Sequence, residues 1–248
     1  MRETRIIMGM PVIIEIVDLG INQKIMDEVF AYFVYIDEKF SVYKKTSEIS
    51  AINRGEIETA NYSEDMKTVF ILSEETKQLT KHYFDIKKSD GSYDPSGLVK
   101  GWAIFKAAEI LWAKGINNFY ISVAGDIQVS GLNGQGERWK IGIQNPFNKK
   151  QELIKVIYLD EGGVATSGTY VRGSHIYNPT KNTSTMDEII SLTVIGKNVY
   201  EADRFATAAF AMGRDGINFI ENLPGFEGYL IDKTGIATIT SGFAKYIN

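Results

Sequence analysis

Two hydrophobic periods alternate along the chain, one near two residues and one near 3.6, and together they set out its elements. Residues 4–9 and 11–17 are β-branched and partly alternating, which predicts a strand pair or one bent strand broken at Pro11. From about 22 to 39, Ile25, Met26, Val29, Phe30, Phe33, Val34 and Ile36 recur at helical spacing; 40–43 reads as an extended piece. One helical turn is expected over 47–53, then a helix over about 64–82 capped by Ser63. Residues 94–102 lead into a helix over 103–114 that meets no breaker before Gly115. Strands are predicted at 117–123, 127–130, 139–143, 153–159 and 189–195, with 160–163 as a turn and 163–180 as a loop. Asn198 and Glu201 have capping-box spacing and open a helix that Gly213 stops. A short helix at 215–222 and strand pieces at 228–232 and 235–240 close the chain before a brief tail over 243–247.

Helices interspersed among strands, several of them consecutive, predict an α+β fold with a mixed sheet. No repeat or linker divides the chain, so 1–248 is expected to form a single unit with a smaller lobe within about 36–95. Composition narrows the chemistry. With 27 Lys and Arg against 31 Asp and Glu the net charge is -4, which gives no footprint for nucleic acid. The absence of cysteine excludes disulfides, thiolate catalysis and thiolate metal sites. The N-terminal apolar run is short and broken, so neither a signal peptide nor a membrane span is expected and the chain reads as cytoplasmic.

Three places carry candidate chemistry. In Asp94-Pro95-Ser96-Gly97-Leu98-Val99-Lys100-Gly101-Trp102, two glycines frame a lysine at a helix start, where free N–H groups attract phosphate; the alternative is an ordinary tight turn before a surface helix. Asp203 and Thr207 lie four residues apart, so their oxygens share a helical face, and the alanines at 202, 206, 208, 209 and 211 let another segment approach closely. Two roles fit that pair. It can offer hard oxygens to Mg²⁺, or Asp203 can pair with a lysine or arginine while Thr207 bonds back to its own helix. The polar run 163–180 gathers Thr166, Ser167, Arg172 and His175. Arg172 and Lys100 suit phosphate oxygens, and a neutral His175 suits a hydroxyl proton. Asp126, after Ala124-Gly125, is either a carboxylate aimed by a turn or part of a plain turn.

Taken in order, these pieces resemble the FAD:protein FMN transferases, the ApbE-like family. The resemblance rests on Met8-Gly9-Met10-Pro11-Val12, Ile36–Tyr43, Ser47–Asn53, Asp94–Ala103, Ala124-Gly125-Asp126, Trp139–Ile143, Ala165–Pro179 and Ala202–Ala208, and it covers nearly the whole chain. It implies a two-lobed α+β fold with a T-fold-like core and FAD held between the lobes. It also implies Mg²⁺-dependent transfer of FMN from FAD to a threonine or serine of a target protein, with release of AMP. FAD pyrophosphatase and non-catalytic FAD-binding activities are the alternatives. On this resemblance the metal ligands fall on Asp203 and Thr207, with main-chain oxygens near Val99 and Ala206. Flavin and adenine contacts fall on Met10, Tyr43, Ser50, Lys100, Asp126, Thr166 and Ser167, with Arg172 beside them, and His175 takes the proton-transfer role. Three positions depart from the family pattern: Ala124 in place of glycine, Asn178 in place of aspartate, and His82-Tyr83-Phe84-Asp85-Ile86 in place of Gly-x-Phe-Asp-Pro. At Ala124 the added methyl is expected either to fit a negative φ or to push the loop outward. Near the C-terminus, Asp232-Lys233-Thr234-Gly235-Ile236-Ala237-Thr238 is reminiscent of the acceptor motif Asp-x-x-Ser/Thr-Gly-Ala-Thr, but Ile236 breaks it and the segment reads as a turn between strands.

Overall fold

In the computed structural model, residues 1–147, 152–168 and 189–247 are described. Chain order gives β1 (Arg2–Ile7), β2 (Met10–Ile16), α1 (Gln23–Phe40), α2 (Glu48–Asn53), α3 (Glu64–Leu79) and α4 (Ser96–Ala113). Then come β3 (Phe119–Val123), β4 (Asp126–Ser130), β5 (Trp139–Gln144), β6 (Leu153–Leu159), β7 (Glu161–Gly168) and β8 (Ile189–Gly196). The helices α5 (Val199–Ala211) and α6 (Gly216–Glu221) and the strands β9 (Glu227–Asp232) and β10 (Ala237–Ile239) complete it.

The α+β class holds. Where a mixed sheet is expected, every described pairing is antiparallel, because the strands come as hairpins rather than as single strands with crossovers. One sheet has the order β1-β2-β3-β4-β7-β8-β9-β10, and β5 and β6 form a separate two-stranded ribbon. The large sheet is two hairpin–helix–hairpin units side by side. In the first, β1β2 and β3β4 flank α1 to α4; in the second, β7β8 and β9β10 flank α5 and α6. The two units meet at the β4–β7 pairing.

Helices cover one face of this sheet. The long core of the first unit packs Val12, Ile14, Ile16, Phe119 and Ile121 against α1, α3 and α4, and a second cluster packs Leu192, Val194 and Leu230 against Phe205 and Phe210 of α5. On the other face, Ile127, Val129, Val164, Ile195 and Ile231 meet Trp139, Ile141 and Ile143 of the β5–β6 ribbon. Ribbon and helices therefore enclose the middle of the sheet from both sides.

Local chemistry sets most boundaries, and several differ from the sequence expectation. The first hairpin turns at Met8-Gly9, both with positive φ (57° and 67°), and Pro11 lies within β2 opposite Ile6. Two positive φ values in a two-residue loop give the type I′ turn whose twist suits a hairpin. Residues 40–43 form the C-terminus of α1 and a turn, not an extended piece. Helix α4 starts at Ser96 instead of near 103 and is buried along much of its length, so Lys100 and Gly101 sit inside a core helix rather than in a turn before a surface one. Residues 161–168 are strand: Gly162 and Gly163 pair with Val129 and Gln128, and Thr166 and Ser167 stand on β7 rather than in a loop. The caps at Asn22, Ser47, Ser63 and Asn198 each accept a hydrogen bond from the first turn of their helix. The 232–238 segment is the expected turn, closed by Gly235 N–H donating to the Asp232 carbonyl at 3.0 Å.

Candidate active site

Alanine and glycine bring α4 and α5 together. A Cβ placed on Gly101 would stand 2.6 Å from the Asp203 Cβ and 2.8 Å from the Val199 carbonyl oxygen, so only glycine permits this crossing. One turn earlier, a Cβ on Gly97 would lie 3.1 Å from the Thr207 methyl. At this contact the Gly101 N–H donates to Asp203 Oδ2 at 2.8 Å, and the Thr207 hydroxyl donates to the Gly97 carbonyl at 3.2 Å. Asp203 is thus bound to the partner helix, and Thr207 does not bond back to its own.

The third contributor is β4. Lys100 Nζ lies 2.5 Å from Asp126 Oδ2 and 3.8 Å from Asp203 Oδ1. The approach to Asp126 is that of an ion pair rather than an aligned hydrogen bond. Both aspartate side chains are at most 5% exposed, so among the described residues one ammonium faces two buried carboxylates. Burial pushes the Asp203 carboxyl up to about 7; Lys100 opposes the rise, Asp126 adds to it, and the Gly101 N–H lowers it again. The other oxygen of Asp126 accepts the Thr166 N–H at 3.2 Å, and the Thr166 hydroxyl shares a 2.8 Å hydrogen bond with Thr193 across the β7–β8 pair.

These groups border a cavity of about 820 Å³. Lys100, Asp203, Thr207, Thr166 and Ser167 line it, Tyr43 stands at it while 94% exposed, and the strand β5 supplies Lys140 to Gln144 as a wall. Tyr83, Phe84, Tyr120 and Ile127 give it apolar and aromatic surface. A cavity of this size, mixed in character and with convergent polar groups, suits a large aromatic ligand that carries phosphate. Its floor includes the β3–β4 turn, where Ala124 has φ +51° and Gly125 has φ +95°. Ala124 therefore takes the left-handed conformation a glycine would take there, not the negative φ expected as one outcome for its methyl, at a cost of roughly 1–2 kcal/mol. His82 does the same at φ +66°, next to Lys81 at +51°, just before the Tyr83-Phe84-Asp85 wall.

Other expected residues lie elsewhere or outside the described residues. Asp126 borders the cavity through Lys100 and Thr166 rather than lining it. Ser50 is buried in α2, its amide capped by Ser47 and its hydroxyl 3.5 Å from the Ser41 carbonyl, and it is not part of the cavity wall. Met10 opens β2 beside the Met8-Gly9 turn and packs against the first core. Val99 and Ala206 have buried side chains within α4 and α5; the main-chain oxygen in contact with Thr207 is that of Gly97. Arg172, His175 and Asn178 fall in 169–188, outside the described residues.

Mg²⁺ favours hard oxygen donors and keeps several of its waters. The Asp203 carboxylate, the Thr207 hydroxyl and the adjoining Gly97 carbonyl are such donors in one place, so the donor set fits the ion. Among the described residues no group of three or more His, Cys, Asp or Glu side chains gathers there. Sequence reasoning missed Gln128, a buried polar residue two positions along β4 from Asp126. Its signal was the alternation Asp126-x-Gln128-x-Ser130 between Ile127 and Val129, which alone reads as an ordinary strand with one wet face.

Comparison with known proteins gives relatives in sequence and in fold. The chain is 33% identical over 130 residues to the FAD:protein FMN transferase of Vibrio cholerae, and 28% identical over 166 residues to that of Escherichia coli K12. These alignments cover 49% and 64% of this chain but only 39% and 47% of the relatives' own length. The fold matches the flavin transferase ApbE of V. cholerae with a TM-score of 0.86 at 22% identity, over 99% of this chain and 98% of that one. It matches the ApbE protein of Thermotoga maritima with a TM-score of 0.88 at 21% identity, over 100% and 99% of the two chains. No helix among the described residues is long and apolar enough to cross a membrane. The ApbE family model matches residues 8–90 and 86–230, and the chain belongs to the ApbE family.

Proposed function

We propose that this protein transfers FMN from FAD to a threonine or serine hydroxyl of a target protein and releases AMP, with Mg²⁺ bound by Asp203 and Thr207. The observation that carries this is the convergence of Lys100, Asp203 and Thr207, from two helices, on one cavity with Thr166 and Ser167. The names of the relatives support the same chemistry.

In this reaction the acceptor oxygen attacks the FMN-side phosphorus, a new P–O bond forms, and the bond to the bridging oxygen breaks, so that AMP leaves with that oxygen. Mg²⁺, when bound, would supply Lewis-acid polarisation of the pyrophosphate. Lys100, held by Asp126 at the cavity wall, offers its ammonium N–H groups to phosphate oxygens whose charge shifts as the bond breaks. Ser96 and Gly97 place the positive end of α4 at the same cavity. Thr166 and Ser167 present a hydroxyl pair on β7, and the β5 wall with Tyr43 and Tyr120 encloses the ring system. His175 takes the acceptor's proton, as the family resemblance implies.

The test is incubation with FAD and Mg²⁺, with and without an acceptor carrying Asp-x-x-Ser/Thr-Gly-Ala-Thr, read by intact mass and by AMP. The expected result is an FMN-sized mass gain on the acceptor, matched by AMP and lost in Asp203→Asn. AMP without that gain would replace transfer by pyrophosphate hydrolysis, and FAD bound but intact would leave a flavin carrier.

A further inference from the structure

The strand β4 carries a buried polar row on its helix-facing side. Asp126 holds Lys100 of α4 and Ser130 accepts the Trp112 indole N–H from the far end of α4 at 3.1 Å. Between them stands Gln128, fully buried, and it reaches the other helix: its Oε1 accepts the Val199 N–H at 2.8 Å, while its own Nε2 donates to the Val129 carbonyl at 3.1 Å. Val199 is the first residue of α5, and Asn198, the cap before it, uses its side chain on Glu201 N at 2.9 Å. Gln128 therefore satisfies a helix-start N–H that the cap leaves open.

The contact has almost no slack. Gln128 pairs in register with Gly163 of β7, and a Cβ on Gly163 would fall 1.9 Å from Val199 N and 2.2 Å from the Asn198 carbonyl carbon. The start of α5 thus rests on bare backbone on one side and on a hydrogen-bonded amide on the other. Asp203 and Thr207 stand one and two turns along this same helix. Fixing its first residue against β4 fixes their height relative to Asp126 of that strand and to Lys100 of α4, which Asp126 holds.

We propose that Gln128 is a positioning residue for the cation site, setting the distance of Asp203 and Thr207 from Lys100 and Gly97 by holding the first turn of α5 onto β4. This rests on the metal role given to Asp203 and Thr207 above, but not on the identity of the reaction. Groups bonded directly to a metal ligand are typically worth about 10–100-fold in metal binding, and Gln128 acts on Asp203 and Thr207 one step further out, through the first turn of their helix. The probe is Mn²⁺ alone, with free ion read by electron paramagnetic resonance and Mg²⁺ as competitor, on the full chain without FAD. Gln128→Met keeps the volume and removes both hydrogen bonds; it is expected to weaken Mn²⁺ binding at least tenfold. Gln128→Glu keeps an acceptor for Val199 N and is expected to bind within threefold of the parent or tighter.

Turnover gives the second readout: in Gln128→Met the Mg²⁺ concentration for half-maximal FAD turnover rises at least tenfold, while KM for FAD at saturating Mg²⁺ changes less than threefold. Should the methionine variant not fold, Gln128→Asn, whose amide falls one methylene short of Val199 N, takes its place with the same expectation. Unchanged Mn²⁺ affinity in a folded Gln128→Met or Gln128→Asn overturns the proposal, as does equal weakening in Gln128→Glu. Parent protein that binds Mn²⁺ through Asp203 but turns over no FAD would overturn the transferase function and leave the positioning role standing.

Discussion

The two hairpin–helix–hairpin units share one plan and load it differently. The first places four helices between its hairpins, and its site helix α4 brings a cation, Lys100, and two glycines to the seam. The second places a compact α5–α6 pair between its hairpins, and α5 brings an anion, Asp203, a hydroxyl, Thr207, and a row of alanines. The Lys100–Asp126 pair lies within the first unit, and the second unit brings Asp203 up to it. The site is the seam, made where a helix without Cβ at one position meets a helix with small side chains beside its aspartate. Docking of α5 adds a second buried carboxylate beside the Lys100–Asp126 pair and joins Val199, Tyr200 and Ala208 to the core of the first unit.

The comparison breaks most severely at the shared ammonium. In Lys100→Met, Asp126 and Asp203 remain buried without their counter-charge, and removal of one partner from a buried ion pair costs about 3–5 kcal/mol. Denaturant unfolding should show a loss of that order, relieved in the double variant Lys100→Met/Asp126→Asn. A loss below 1 kcal/mol would mean that the two units tolerate uncompensated charge at the seam.

The two glycines of α4 sharpen it next. Alanine in place of helix glycine normally gains about 1 kcal/mol of propensity. At Gly97 the new methyl meets the Thr207 methyl at 3.1 Å, which can shift, so Gly97→Ala should stay within about 1 kcal/mol of the parent. At Gly101 it meets Asp203 Cβ and the Val199 carbonyl, which cannot move without moving α5, and overpacking costs about 1–3 kcal/mol or more. Gly101→Ala should therefore be destabilised and should lose turnover, whereas Gly97→Ala keeps its stability. Equal thermal melts for the two would remove the close crossing as the reason for the glycine.

The smallest effect contrasts two aspartates of the second unit. Burial raises the Asp203 carboxyl, but at Asp232 the Thr234 hydroxyl, then the Ile236 and Thr234 N–H groups and Arg214, hold the carboxyl below its ordinary value. A depressed folded-state value contributes stability that is present above the unfolded value and is lost as pH falls through the folded one. The melting difference between the parent and Asp232→Asn should therefore be full at pH 7 and shrink as pH falls from about 5 to about 2. A difference that stays constant over that range would show that this carboxylate's charge adds nothing to the β9–β10 turn.

Legibility followed the range of the forces involved. The helix starts at Ser63 and Asn198 and the turn at Gly235 were readable because a cap or a left-handed residue acts within a few positions. Asp203, Thr207, Lys100, Thr166 and Ser167 were readable as chemistry and through the family resemblance, and the fold brings them to one cavity. The start of α4 was not: Gly97 and Gly101 look like helix breakers in sequence, and only the packing of α5 against them explains why they are tolerated inside a helix. Residues 160–163 looked like a turn for the same reason, since Gly162 and Gly163 are placed in β7 by the Gly196 carbonyl and the start of α5 pressing on them.

What the sequence by itself determined is the α+β class, most of the helix and strand order, and the kinds of groups available: hard oxygens, a lysine, small residues and no thiol. These follow from periodicity, capping and side-chain chemistry, which act locally. What only the tertiary structure decided is the doubling of one hairpin–helix–hairpin plan, the single ammonium between Asp126 and Asp203, and the buried amide of Gln128 under α5. Those depend on contacts between different elements, some of them about 70 to 100 positions apart as in the bonds of Gln128 with Val199 and Gly101 with Asp203, and no local pattern fixes the angle and height at which two helices dock on a sheet.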